Sequence, residues 1–159
     1  MKKLFVLILL FINASIISAQ IAPEKIVDLK VNPKSKTFSP GSSIEVELVL
    51  IIEDGWHINA DKPLDKNLIP TVVSLKDTSV YKIEKIEYPQ PVFMNLAFSE
   101  DELALYEGEA RIKLWIKTDK KFKKDNLKID GTIQYQPCND QTCLFPYKKS
   151  FSVEVKRKK

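Results

Sequence analysis

The chain has 159 residues, 44% of them hydrophobic, with 25 Lys and Arg against 21 Asp and Glu and a formal net charge of +4. That apolar content is ample for one buried core, and so small and dispersed a charge excludes a nucleic-acid partner, which needs a concentrated basic face. The two basic clusters, Lys120 to Lys124 and Lys156-Arg157-Lys158-Lys159, read as a solvated loop and a frayed terminus.

The N-terminus reads as an export leader. Lys2 and Lys3 precede an unbroken apolar run from Leu4 to Ile12, and Ser18-Ala19-Gln20 offers a small-residue cleavage site after Ala19. The apolar stretch to Ile17 falls short of the ~20 residues a membrane-spanning helix needs, and no cysteine follows it to carry a lipid. The expectation is a signal peptide over residues 1–19 and a single domain over 20–159. That domain should be soluble in the periplasm or another exported compartment, where disulfides persist, with no stable membrane insertion. Loss of Lys2 and Lys3 lowers the net charge to +2.

Strand follows strand along the mature chain. A short candidate covers Ile26 to Val31. Ile44, Val46, Leu48, Leu50 and Ile52 then alternate with Glu45, Glu47 and the apolar Val49 and Ile51, the pattern of a long and well-buried strand. Val72 to Leu75 is another short candidate. In Val80 to Tyr88 the apolar set is Tyr81 and Ile83, then Ile86 and Tyr88, a shift by one that predicts a bulge. Ala110, Ile112, Leu114 and Ile116 alternate with Arg111, Lys113, Trp115 and Lys117 as in a half-exposed strand. Leu127 to Tyr135 and Phe151 to Val155 complete the set. No segment sustains a helical period, the prolines mark loops and edges, and two long connections remain, Glu53 to Pro70 and Pro89 to Glu109. The fold class is all-β, an immunoglobulin-like β-sandwich.

The only two cysteines lie in Tyr135-Gln136-Pro137-Cys138-Asn139-Asp140-Gln141-Thr142-Cys143-Leu144-Phe145-Pro146. Such a pair is a redox switch or a local staple. Closing a ring this short stabilises a fold by only about 2 kcal/mol, against about 4.7 for a long loop, which favours the switch. The cysteines flank a four-residue connection, Asn139 to Thr142, which puts a cysteine-bearing hairpin at one end of the sandwich. On adjacent strands their Cα atoms can approach the ~5.5–6 Å of a disulfide. No helix N-terminus activates them, and Asp140 disfavours a nearby thiolate. Pro137 has no N–H to continue a ladder, as an edge held open for a partner requires; an ordinary strand-end proline is the alternative. Tyr135, Asn139 and Asp140 flank the sulfurs, with an inward-facing core role the alternative for Tyr135.

These residues carry a resemblance. Tyr135-Gln136-Pro137-Cys138 with Cys143-Leu144-Phe145-Pro146, joined to Gly55-Trp56-His57-Ile58-Asn59 and Leu68-Ile69-Pro70-Thr71, resembles the N-terminal periplasmic domain of DsbD, the transmembrane thiol–disulfide interchange reductase. The resemblance runs from about Ile26 to Val155. It implies an immunoglobulin-like domain in which Cys138 and Cys143 relay two electrons through transient mixed disulfides. The partners would be thioredoxin-like proteins, a membrane thiol reductase and exported acceptors such as those of cytochrome c biogenesis. It also implies an aromatic cap on a mobile loop. Phe93 to Asp101 lies in the corresponding place, with Phe98 the candidate cap and Phe93 the runner-up. Two departures stand out. The best-studied members place five residues between the cysteines where this chain has four, and the membrane-spanning and thioredoxin-like parts of the full reductase have no counterpart in these 159 residues.

The exchange chemistry itself needs two sulfurs and no cofactor. His57, the only histidine, would need a fourth ligand beside itself and the two cysteines to hold a metal. It is read instead as ordering its long loop, with Trp56 buried. No Ser/His/Asp set, carboxylate dyad or phosphate loop stands out. The expectation is a monomeric thiol–disulfide oxidoreductase relay. The alternative is a binding or adhesion sandwich whose disulfide only pins a hairpin.

Overall fold

Alternating side chains build most of this molecule. The computed structural model describes residues 22–76 and 79–159, and the leader expected over 1–19 lies outside them. One helical turn, α1 (Pro23–Ile26), precedes β1 (Val27–Pro33), β2 (Thr37–Phe38), β3 (Ser43–Ile52), β4 (His57–Asn59), β5 (Val72–Leu75) and β6 (Tyr81–Glu87). The chain continues through β7 (Val92–Met94), β8 (Leu103–Tyr106), β9 (Glu109–Thr118), β10 (Asn126–Tyr135), β11 (Pro137–Cys138) and β12 (Tyr147–Arg157). Among the described residues no helix is long and apolar enough to cross a membrane.

The strands form three four-stranded sheets, ordered β1-β3-β9-β6, β2-β12-β10-β5 and β11-β4-β8-β7. The first two are the layers of the expected sandwich. In β3 the residues Ile44, Val46, Leu48, Leu50 and Ile52 point inward, as do Ile112, Leu114 and Ile116 of β9. Ile129 and Ile133 of β10 and Val153 and Val155 of β12 meet them from the second sheet in one apolar cluster. Each such fully buried Ile or Leu side chain contributes about 1.5–3 kcal/mol of transfer free energy. The outward face of β3 and β9 is mixed, with Val49, Ile51 and Trp115 among charged residues. There Glu47, largely buried, pairs with Arg111 at 3.2 Å and Lys34 at 4.0 Å. The bulge predicted from the shifted period in β6 is present, with the register against β9 slipping between Ile83 and Lys85.

The third sheet is a difference from expectation. The segments read as two long connections contain β4, β7 and β8, which pair with each other and with β11. These strands have only three or four residues, and β4 and β8 are buried at every position, so they show no alternation to read. The sharp entry into β4 is a turn over Glu53 to Trp56, closed by the Trp56 N–H on the Glu53 carbonyl at 3.0 Å. Gly55 takes φ +77 there, the left-handed value that the third residue of a type II turn requires. A side chain at this position would be strained whatever the space around it.

The third sheet also divides the apolar interior. Residues paired directly across strands share a face, so the register sorts them. Ile58, Ala104 and Tyr106 face the main core. Leu103 and Leu105 face the other way and join Leu96 and Cys138 in a second, smaller cluster.

Candidate functional site: the cysteine hairpin

After Tyr135, the end of β10, the chain leaves its pairing with β12 and crosses to the third sheet. There Pro137 pairs with Ile58 and Cys138 with His57. Pro137 lacks the N–H that would extend a ladder, but its carbonyl accepts the N–H of Leu144 at 2.8 Å. The Asn139 N–H donates to the Thr142 carbonyl at 2.9 Å. These two bonds flank Cys138 and Cys143, which therefore form a non-hydrogen-bonded cross-strand pair, the narrow type in antiparallel pairing. Their Cα atoms are 4.0 Å apart and the sulfurs are bonded. The separation is shorter than the ~5.5–6 Å typical of disulfides because the narrow pair sets it.

Asn139 and Asp140 hold different places on this hairpin. The Asn139 side-chain oxygen accepts the N–H groups of Gln141 and Thr142 at 2.9 and 3.0 Å, so Asn139 builds the turn. Asp140 sits at its exposed tip. The two sulfurs differ in access. Cys138 is 0% exposed, whereas Cys143 is half-buried.

A polar network fixes the hairpin from beneath. Asn59, wholly buried, donates through Nδ2 to the Ile69 carbonyl and to Gln136 Oε1, both at 3.0 Å. Gln136 Oε1 also accepts the Ile69 N–H at 3.0 Å, and its Nε2 donates to the Leu144 carbonyl at 3.1 Å. The network thus ties the Asn59–Ile69 region to the Gln136–Leu144 hairpin, 67 to 77 residues away in sequence. With Nδ2 committed, Asn59 Oδ1 is turned toward the Cys138 sulfur at 3.9 Å. Sequence reasoning quoted Asn59 and Gln136 inside motifs but gave neither a role. The available signal was an amide side chain inside an otherwise apolar strand, which must find partners when buried.

Tyr135 takes the inward position. It is wholly buried in the main core, its ring 6.1 Å from that of Tyr147 and its hydroxyl 3.5 Å from the Pro23 carbonyl. Burial, reinforced by Tyr147 and Glu24, pushes its phenol well up. Tyr106, across the sheet from Ile58, donates to Asp61 at 2.6 Å, and burial first and Asp61 second push its phenol up as well.

The loop between β7 and β8 is anchored by Leu96, packed in the Cys138 cluster, a contact the sequence reading missed. Phe98 lies at the loop's turn and is 40% exposed, so it is not a core residue. Phe93 pairs with Ala104 and therefore lies on the face of the sheet opposite Cys138. Phe145, two residues beyond Cys143, is 89% exposed. Trp56 is buried as expected, and His57 lies beside the hairpin with its Nε2 3.3 Å from Glu107 Oε2.

Comparison with known proteins bears on this arrangement. The family model described as thiol:disulfide interchange protein DsbD, N-terminal, matches residues 26–155. The crystal structure of the N-terminal periplasmic domain of ScsB from Proteus mirabilis is similar in fold. It aligns with a TM-score of 0.54 at 13% identity, over 86% of this chain and 49% of that one, so this chain spans about half the length of that structure. No curated protein matches the sequence.

Proposed function

This chain belongs to the family of DsbD N-terminal domains, and from that premise we propose that it relays electron pairs between a thioredoxin-like donor and exported acceptor proteins through the Cys138–Cys143 disulfide. Family membership makes it a thiol–disulfide exchange domain. The donor, the acceptors, the periplasmic setting and the leader over residues 1–19 belong to the proposal. The observation that carries it is the unequal burial of the two sulfurs in a locally closed pair.

In the forward step a partner thiolate attacks the accessible Cys143 sulfur in line with the S–S bond, and Cys138 leaves. A mixed disulfide between the partner and Cys143 results, and a second partner thiol resolves it, leaving Cys138 and Cys143 as thiols. The electron pair then passes outward by the reverse sequence. Phe145, two residues from Cys143 and 89% exposed, is the proposed apolar contact for the partner, and Phe98 is the proposed cap. Capture tests this directly. Cys138→Ala leaves Cys143 free to hold a partner, and a thioredoxin-like protein should accumulate on it as a mixed disulfide identified by mass. Cys143→Ala should capture far less. Equal capture by both variants, or none, would return the hairpin to the role of a staple in a binding sandwich. A reduction potential below about −300 mV, the range of structural disulfides, would do the same.

A further inference from the structure

The departure of Cys138 raises a problem that its surroundings do not solve. Its sulfur is buried among Leu96, Leu103 and Leu105. In the oxidised form its nearest polar contacts are Asn59 Oδ1 at 3.9 Å and the Gln136 carbonyl at 4.0 Å, both lone-pair acceptors. Asn59 cannot turn its amide N–H groups toward the sulfur without breaking its bonds to Ile69 and Gln136. Acceptors and apolar walls favour a thiol, which can donate, and oppose a thiolate, which cannot. The leaving sulfur therefore needs a proton as it departs.

His57 is placed to supply it. It is the cross-strand partner of Cys138 and lies on the same face of the sheet, where paired Cβ atoms stand about 4.5–5.5 Å apart. The residue is 9% exposed, and its Nδ1 is sealed from solvent with no hydrogen-bond partner among the described residues. The other ring nitrogen, Nε2, faces the exposed Glu107 in the short connection between β8 and β9. One end of the imidazole is thus buried, on the face of the sheet that carries Cys138, and the other meets a carboxylate at the surface. Other charged groups on neighbouring elements are exposed: Glu53 and Asp54 in the turn before Gly55, and Asp140 at the hairpin tip. Asp61 is engaged by Tyr106, on the opposite face of the sheet.

We propose that His57 is the proton donor to Cys138 during disulfide cleavage, and the acceptor when the disulfide re-forms, with Glu107 holding its protonated form. In balanced form, a partner thiolate, the Cys143–Cys138 disulfide and the His57 imidazolium give the partner–Cys143 disulfide, the Cys138 thiol and neutral His57. Nε2 keeps its hydrogen toward Glu107 throughout, and Nδ1 regains the transferred proton when the disulfide re-forms. This rests on the exchange function proposed above, but its test needs no protein partner.

The experiment follows reduction of the oxidised domain by a water-soluble phosphine, read as thiol labelling by mass, for wild type, His57→Gln and Glu107→Gln. The ratio of wild-type to variant rate cancels the ionisation of the reductant. For His57→Gln the ratio should be about a hundredfold at the acidic end, the low end of general-acid effects. It should fall toward one at the alkaline end, where a neutral imidazole has no acidic proton to give. A ratio that does not change with pH overturns the proposal, since a merely structural loss would slow or speed the reaction at every pH alike. If His57→Gln does not fold, Glu107→Gln decides. It should slow reduction at neutral pH and move the profile to the acidic side, and an unmoved profile overturns the proposal. Capture of a thioredoxin-like protein by Cys138→Ala stands or falls separately.

Discussion

Removing both sulfurs asks whether the hairpin holds the domain together. In Cys138→Ala/Cys143→Ala the loss has two parts. The disulfide closes a ring of six residues, Cys138 to Cys143, which in the chain-entropy account contributes about 2 kcal/mol. Deleting the buried Cys138 sulfur removes contacts from a cluster shared with Leu96, Leu103 and Leu105, a loss of about 1 kcal/mol on the scale of one methylene plus a small cavity. Cys143 is half-buried and adds little. The total, about 3 kcal/mol, is a fraction of the 5–15 kcal/mol typical of a domain. The main core, built on Leu48, Ile112, Ile129 and their neighbours, does not include the cysteines. The variant should therefore fold, with its urea midpoint lowered by about 2 M for a slope near 1.5 kcal/mol/M, and should exchange with no thioredoxin-like protein. A variant without a cooperative transition, or a loss above about 5 kcal/mol, would refute the reasoning. The hairpin would then be organising the sandwich.

Three further outcomes are expected. Phe98→Ala should speed attack of a small reductant on the disulfide while lowering stability by much less than the roughly 3–5 kcal/mol of a core Phe→Ala change; an unchanged rate removes Phe98 from the site. Phe145→Ala should slow exchange with a thioredoxin-like protein several-fold and leave reduction by a small phosphine unchanged, because an 89% exposed ring can matter only to a partner that covers it; equal slowing of both reactions would contradict this. Stability should be flat in mildly alkaline solution and fall above about pH 10, the ordinary phenol value. Burial raises the folded-state values of Tyr106 and Tyr135, so the unfolded chain ionises first and draws the equilibrium toward itself as pH rises. Urea midpoints at about pH 9 and about pH 11 measure the decline, which Tyr135→Phe should lessen, and an equal decline in that variant would assign it elsewhere.

The sequence shows the sandwich plainly wherever a strand is long enough to alternate. Val72 to Leu75 is found to the residue, β3, β9 and β10 within a residue or two at each end, and the slip in β6 announces its bulge. The third sheet escapes for a physical reason. A strand such as Leu103–Tyr106, buried on both faces, has no polar side to mark its period and is too short to be told from a loop. The same reason hides half of the site. Cys138 and Cys143 declare themselves by chemistry, and Asn139 behaves as a turn residue should. Asn59, Gln136 and Leu96 gain their roles only because β4 and the β7–β8 loop are folded against the hairpin, through contacts as distant as Asn59 to Gln136. Tyr135 illustrates the remaining ambiguity. Standing three residues before a cysteine, it could face either way, and the parity of β10 turns it inward.

The two hydrogen bonds that flank the cysteine pair, Asn139 to Thr142 and Leu144 to Pro137, have a consequence for direction. They hold the hairpin's backbone by contacts in which neither sulfur takes part, and Gln136 and Asn59 brace it independently. Under the proposed exchange function the reduced form should then keep nearly the same backbone outline, so that shape would not tell an incoming donor from a waiting acceptor. Traffic through such a domain runs downhill by potential alone. For a two-electron couple each 30 mV between visitor and host is worth about 1.4 kcal/mol, and a difference of that size already tips a balanced exchange tenfold to one side. In the proposed relay the domain would act as a wire, and the sign of the current would belong to whatever is connected at its ends.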